Sequence, residues 1–243
     1  MSTARLVVSL GLVTKGDAAR GEPGFELDVS FTIAPGVTVL FGPSGSGKSR
    51  TLGCIAGIVH PDRGKVALGA DVWLDTAHEI DQPIHERRVA YVFQSLALFP
   101  HMTAEDNVGY GMPRSLGRDE RRSRASEMLK KMRVGHLAGR KPRTFSGGEA
   151  QRVALARAFA MNPRVVLLDE PFSALDTGTK RELLAEVKEW LAREAIPSIL
   201  VTHHAEEAHE LGDRIVMLEK GRVVKEAAMD DPSLSLPKLR VQA

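Results

Sequence analysis

Apolar residues recur at every second position through Leu27, Val29, Phe31 and Ile33, and again through Val37, Val39 and Phe41. That is the period of a strand with one buried face, so residues 3–10 and 25–41 read as strands, with Pro35-Gly36 turning the chain. From Gly47 to about Ile58 the spacing lengthens to three and four (Leu52, Ile55, Ala56, Val59), which predicts a helix. Residues 64–94 read as short strands that end in Val89–Phe93, just before Gln94. Strand signals then stop from Leu96 to Met161. There Thr103-Ala104-Glu105-Asp106 has the form of a helix-starting capping box, and Gly135 to Pro142 breaks the helical pattern. A helical lobe inserted over about 95–161 is therefore expected. Val165–Leu168 is a continuous apolar run, the mark of a strand covered on both faces. Lys180–Glu194 reads as a helix burying Leu183, Leu184, Val187 and Leu191, with Thr179 to Glu182 as its capping box, and strands follow at 198–202 and 215–218. Alternating strands and helices imply an α/β fold with a mostly parallel sheet, one domain over 1–243 and a short tail at 225–243.

Composition narrows the class. With 243 residues, 43% of them hydrophobic and 26% charged, the chain has enough apolar residues for a sizeable core, which excludes disordered and collagen-like structure. The 33 basic and 31 acidic side chains nearly cancel, so net charge gives no reason to expect nucleic-acid binding. The basic stretch from Arg118 to Arg133 reads as a solvated helix face. Cys54 is the single cysteine, so no internal disulfide forms, which fits a reducing compartment. No apolar run approaches the roughly 20 residues of a membrane-spanning helix. Leu6–Val13 follows a single Arg5 but lacks a strong basic start and a convincing small-residue cleavage site, and is expected to be a first strand rather than a signal peptide.

The chemistry begins at Gly42-Pro43-Ser44-Gly45-Ser46-Gly47-Lys48-Ser49, which satisfies G-x-x-x-x-G-K-[ST] between a predicted strand and a predicted helix. Glycines let backbone N–H groups turn inward around phosphate oxygens, and the helix adds its positive end. Lys48 is suited to the β- and γ-phosphates, and the Ser49 hydroxyl to a Mg²⁺ shell. Asp169-Glu170 ends the buried apolar strand, where open α/β sheets bind ligands. Asp169 is a candidate Mg²⁺ ligand and Glu170 a candidate general base.

Phe145-Ser146-Gly147-Gly148-Glu149-Ala150-Gln151-Arg152, lying between these motifs and running into a helix, resembles the L-S-G-G-Q signature of ATP-binding cassette (ABC) ATPases. Three further elements are similar to that family, so the resemblance covers about residues 3–224. Gln94 looks like the Q-loop glutamine that reaches Mg²⁺ and the attacking water. Ser173-Ala174-Leu175-Asp176 looks like the D-loop at a dimer contact, and His203 like the switch histidine on the γ-phosphate. The resemblance implies a P-loop NTPase core with an N-terminal antiparallel β portion and an inserted helical lobe. It also implies ATP and Mg²⁺ as cofactors, and a head-to-tail dimer in which Ser146, Gly147, Gly148 and Asp176 act toward the partner's ATP. Phe145 and Glu149 depart from the usual Leu and Gln, and Arg50 stands where Thr is common at the α-phosphate. Where relatives place an adenine-stacking aromatic, this chain has Ala18, Ala19 and Arg20. Arg20 and Phe25 are the candidates for that role.

The run Arg87–Gln94 followed by Leu98-Phe99-Pro100-His101 looks most like ATPases of bacterial importers, particularly the molybdate type; sulfate, sugar and polyamine importer ATPases share much of it. The expected partners are then a second copy, integral membrane permease subunits and, indirectly, a solute-binding protein, at the cytoplasmic face of the inner membrane. The apolar loop Leu96–Thr103 is expected to help line the groove for a permease helix, and the basic 118–133 segment then gains anionic lipid as an alternative neighbour. The chain stops short of the accessory β-domain many such ATPases carry, so regulation through it is not expected. A soluble ABC ATPase would show coiled coils, zinc-binding cysteines or a duplicated cassette. A catalytically dead cassette would lack Glu170 or His203.

Overall fold

The computed structural model describes residues 4–16, 24–113, 115–173, 175–232 and 234, and these described residues form eleven strands and seven α-helices. In order these are β1 (Leu6–Thr14), β2 (Phe25–Ile33), β3 (Gly36–Phe41), α1 (Lys48–Ala56), β4 (Arg63–Leu68), β5 (Asp71–Asp75), β6 (Ile80–Asp81), α2 (Ile84–Arg87), β7 (Val89–Val92), α3 (Ala104–Tyr110), α4 (Arg118–Lys131), α5 (Gly147–Ala160), β8 (Val165–Asp169), α6 (Thr177–Glu194), β9 (Pro197–Thr202), α7 (Ala205–Leu211), β10 (Arg214–Glu219) and β11 (Arg222–Ala228). Two units divide the chain: residues 1–87 with 191–243, and residues 88–190.

The first unit is built on a mixed sheet with strands in the order β6-β5-β4-β1-β2-β11-β10-β3-β9. Its parallel part is β10-β3-β9, whereas β6-β5-β4-β1-β2 pair antiparallel throughout. The antiparallel part shows the alternation read from the sequence: Leu27, Val29, Phe31 and Ile33 are buried and their neighbours point outward. In β3 and β9 nearly every residue is buried, as expected for strands covered on both faces. The segment expected to be tail from residue 225 instead continues a strand. β11 pairs antiparallel with β10 and meets β2 at Arg222↔Asp28, so sheet structure extends to Ala228. The stretch read as strands over 64–94 also contains the one-turn helix α2. Its Arg87, only 1% exposed, donates to the carbonyls of Cys54 (3.3 Å) and Ile55 (3.0 Å) at the end of α1, to Gln82 O (3.0 Å) and to Asp81 (2.8 Å). A cation there satisfies carbonyls that a helix C-terminus leaves open.

The second unit pairs β7 with β8 in parallel, Val92 opposite Leu168. Its helices include α3, which starts at the capping box expected at Thr103–Asp106. Buried Asn107 exchanges hydrogen bonds with Phe99 N and O and donates to Thr103 O, fastening the preceding loop to α3. Ring stacking of Phe159 on Trp190, centroids 3.7 Å apart, joins α5 to α6. Leu183, Leu184 and Val187 are buried as the periodicity requires. The cap of α6 differs from expectation: the helix begins at Thr177, and Asp176 Oδ1 accepts the N–H groups of Gly178 and Thr179 at 3.1 Å each. Thr179 therefore lies inside the first turn and is not the cap. The basic helix α4 buries only Ala125 and Leu129. Its cations pair with acids, Arg124 with Glu120, Lys131 with Glu127 and Arg122 with Glu105, as a solvated face does.

Candidate active site

The phosphate loop connects β3 to α1. Gly47 sits at φ 103°, and a Cβ there would lie 2.7 Å from Leu27 Cδ1 and 2.9 Å from Phe25 Cζ, so only glycine fits at this helix start. At Gly42 a Cβ would lie 2.1 Å from Leu218 O, which excludes any larger residue. Gly47, as N-cap, has no side chain with which to cap the first turn of α1. The Ser46 hydroxyl is buried with no hydrogen-bond partner among the described residues. Lys48 is 7% exposed, and its Nζ donates to the carbonyls of Gly42 (2.8 Å) and Pro43 (2.9 Å). This donor set, comprising a lysine folded over the loop, an orphaned hydroxyl and a helix start, fits a polyphosphate. The hydroxyl of Ser49, next along α1, is the kind of oxygen donor Mg²⁺ takes. Arg50 Nη1 donates to Thr14 Oγ1 at 3.1 Å, and its guanidinium lies 4.6 Å from the Phe25 ring centroid, which packs both beside the loop. Ala18, Ala19 and Arg20 lie outside the described residues.

His203 belongs to the same unit. β3 and β9 are in parallel register with Phe41 opposite Thr202, so Gly42 and His203 leave neighbouring strands at one edge. Thr202 Oγ1 donates to Glu207 at 2.6 Å and accepts from His204 N at 3.0 Å, which fixes the backbone just after β9.

In the second unit, β7 and β8 deliver Gln94 and Asp169-Glu170 to one sheet edge in the same way. Gln94 Nε2 donates to Glu170 Oε2 at 3.2 Å. Glu170 has left-handed backbone, φ 47°, and its carbonyl accepts from Ser173 N (3.3 Å) and Oγ (3.0 Å), so the turn is pinned despite its cost. Asp169, nearly buried, accepts a hydrogen bond from the Tyr91 hydroxyl at 3.0 Å. Burial, reinforced by the Asp169 carboxylate, pushes the Tyr91 phenol well above its ordinary range, so it stays a donor. Tyr91 thereby orients the Asp169 carboxylate, a contact absent from the sequence reading.

Ser146, Gly147 and Gly148 open α5 in the same unit. Ser146 is the N-cap: its Oγ accepts from Glu149 N at 3.3 Å, while Glu149 Oε2 accepts from Ser146 N at 2.7 Å, a reciprocal capping box. The Ser146 backbone N–H, aided by His136 at 3.1 Å and the Ser146 hydroxyl, draws the Glu149 carboxyl down to about 2. The signature residues line a cavity of ≈ 670 Å³ together with Asp176 and Arg152. Of the D-loop residues, Ala174 lies outside the described set. Hydrogen bonds from Thr179 and Gly178 hold Asp176 below the usual carboxylate range.

Known proteins resemble this chain over most of its length. The 44%-identical molybdenum import ATP-binding protein ModC of Methylococcus capsulatus aligns over 203 residues, 83% of this chain and 56% of that protein. The sulfate/thiosulfate import ATP-binding protein CysA of Mesorhizobium japonicum is 45% identical over 84% of this chain and 59% of its own length. The chain thus spans little more than half the length of these curated relatives. Among solved structures, the dimeric ATP-binding cassette MJ0796 bound to ADP and Pi, after hydrolysis, superimposes with a TM-score of 0.76 at 32% identity, covering 93% of this chain and 98% of that one. The fold is therefore the α/β P-loop NTPase fold of ABC ATPases. A family model described as ABC transporter matches residues 27–173, which include the phosphate loop, Gln94, the Ser146 cap and Asp169-Glu170, and the chain belongs to that family.

Proposed function

We propose that the chain is the ATP-hydrolysing subunit of an ABC importer. In this reading it works as a head-to-tail dimer on integral permease subunits, peripheral to the cytoplasmic face of the inner membrane. The observation that carries the hydrolytic part is the Gln94 amide held on the Glu170 carboxylate at 3.2 Å, beside an Asp169 oriented by Tyr91. The loop Gly42–Ser49 binds the phosphates, with Lys48 on the β- and γ-groups and Arg50 as the candidate contact for the α-phosphate. Ser49, Asp169 and Gln94 would hold Mg²⁺, which when bound offsets charge on the β- and γ-oxygens. Glu170 takes a proton from the attacking water as that oxygen bonds to the γ-phosphorus and the bond to the bridging oxygen breaks, leaving ADP and phosphate. Gln94 orients the water and His203 donates to a γ-oxygen. Ser146, Gly147 and Gly148 close on the ATP of the partner copy, with Asp176 at the dimer contact. ATP hydrolysis lost on Glu170→Gln with binding retained is the expected result; unchanged turnover refutes the assignment.

The helical segment 95–161 is proposed as the permease-docking lobe. Support comes from a cavity of ≈ 850 Å³ that His101, Met102 and Thr103 line with Tyr110 and Arg121. The proposed cargo is an oxyanion, molybdate first, delivered by a solute-binding protein. A sulfate carrier is the second reading, because the CysA relative is as similar as ModC. Stimulation of the reconstituted transporter's ATPase by molybdate-loaded rather than sulfate-loaded binding protein decides between them. Among the described residues no helix is long and apolar enough to cross a membrane.

A further inference from the structure

Helix α5 begins at the Ser146 cap, and near its other end Arg157 reaches the turn that follows Gln94. Arg157 Nη1 donates to Ala97 O at 2.7 Å and Nη2 to Leu96 O at 2.8 Å, and the guanidinium lies 5.5 Å from the Phe99 ring centroid. Leu96 and Ala97 are consecutive residues with left-handed backbone, φ 60° and 44°. Side chains with a Cβ disfavour that region, and two in a row persist only where the surroundings over-determine them. The turn is closed by Leu96 N donating to Phe93 O at 2.9 Å and Ala97 N to Ser95 O at 2.7 Å, so it brackets Gln94 directly. The planar fork of one guanidinium matches two adjacent carbonyls, a geometry that an ammonium group does not reproduce.

We propose that Arg157 is a positioning residue for hydrolysis: it locks the Leu96-Ala97 turn, thereby sets the Gln94 amide against Glu170, and makes movement of the Ser146-capped helix felt at Gln94. The proposal rests on the ATPase reading above, with α5 as the lever and the bidentate Arg157 contact as its joint.

The test uses the full chain and measures steady-state ATP hydrolysis, affinity for a fluorescent ATP analogue and Tm for R157Q, R157K and R157Q combined with L96G/A97G. R157Q is expected to lower kcat about tenfold while KM and analogue affinity stay within about twofold, because the phosphate loop is untouched. Glycine adopts the left-handed turn without penalty, so L96G/A97G is expected to restore kcat of the R157Q chain about threefold. A kcat loss under about threefold overturns the proposal. So does a loss that follows a falling Tm and is not restored by the glycines. If R157Q fails to fold, R157K decides by the same criteria. A wild-type chain without turnover, or an E170Q chain with full turnover, overturns the ATPase reading, and with it the proposal.

Discussion

Replacing Arg87 by Met should destabilise the first unit while leaving every phosphate-loop side chain in place. The guanidinium is 1% exposed and its four hydrogen bonds run to three carbonyls and one carboxylate, at 2.8 to 3.3 Å. Met fills similar volume, so the cavity penalty is small and the loss is mainly polar. Burying two or three carbonyls without this donor costs about 1–3 kcal/mol each. Some is recovered because the Arg87 charge no longer has to be desolvated, a cost visible in burial pulling its pKa down against the opposing pull of Asp81. Cys54 O retains the Gly57 N–H at 3.1 Å, which removes one carbonyl from the account. The remainder is about 3 kcal/mol, or roughly 6–12 °C in Tm for a chain this size. Urea and thermal unfolding followed by circular dichroism measure it. R87K, which keeps charge but not the fork, should lose nearly as much. A loss below about 1 kcal/mol for R87M would refute the reasoning, because the helix-end carbonyls would then not depend on the guanidinium.

Two further outcomes follow from the site. Tyr91→Phe removes one hydroxyl from Asp169 while keeping the ring stacked on Phe93, centroids 4.1 Å apart. It should raise the Mg²⁺ concentration for half-maximal ATPase about tenfold with little change in Tm, and an unchanged Mg²⁺ titration contradicts it. Glu149→Gln tests the capping carboxylate. The folded value of about 2 lies below the ordinary 4.5, so the ionised group stabilises the fold above about pH 4.5, and that contribution fades as pH falls toward 2. The stability deficit of Glu149→Gln should shrink as pH falls below 4.5 in urea titrations; a deficit that keeps growing below that pH reverses the sign and refutes the assignment.

Where chemistry is contiguous, sequence alone reveals it. The phosphate loop carries its donors within eight residues, and the Ser146 turn carries its own cap, so both are legible without knowledge of the fold. Asp169 is equally visible as a carboxylate at a strand end, but its Tyr91 partner is not, because only the parallel register of β7 on β8 brings them together. Arg87 escapes for a different reason: arginine defaults to the surface, and the carbonyls it serves leave no trace in residue type. The Arg157 latch is hidden in the same way, since its acceptors are the carbonyls of Leu96 and Ala97. At α6, Asp176 and Thr179 both have capping chemistry, and the choice lies in which backbone N–H groups each side chain reaches. β11 reads as tail because it alternates exposed and half-buried residues with only Ala227 fully buried, and its strand character comes from the β10 ladder.

The central claim is an ATP-driven dimer in which Glu170 removes the proton from water, and one measurement meets it directly. Purified wild-type and Glu170→Gln chains are mixed with ATP and Mg²⁺, and molar mass and phosphate release are followed together by light scattering and a phosphate assay. The account predicts that Glu170→Gln doubles its mass on ATP and holds it with phosphate release reduced at least about a hundredfold, while the wild type releases phosphate and returns to monomer. A Glu170→Gln chain that turns over like wild type, or stays monomeric with ATP bound, contradicts it.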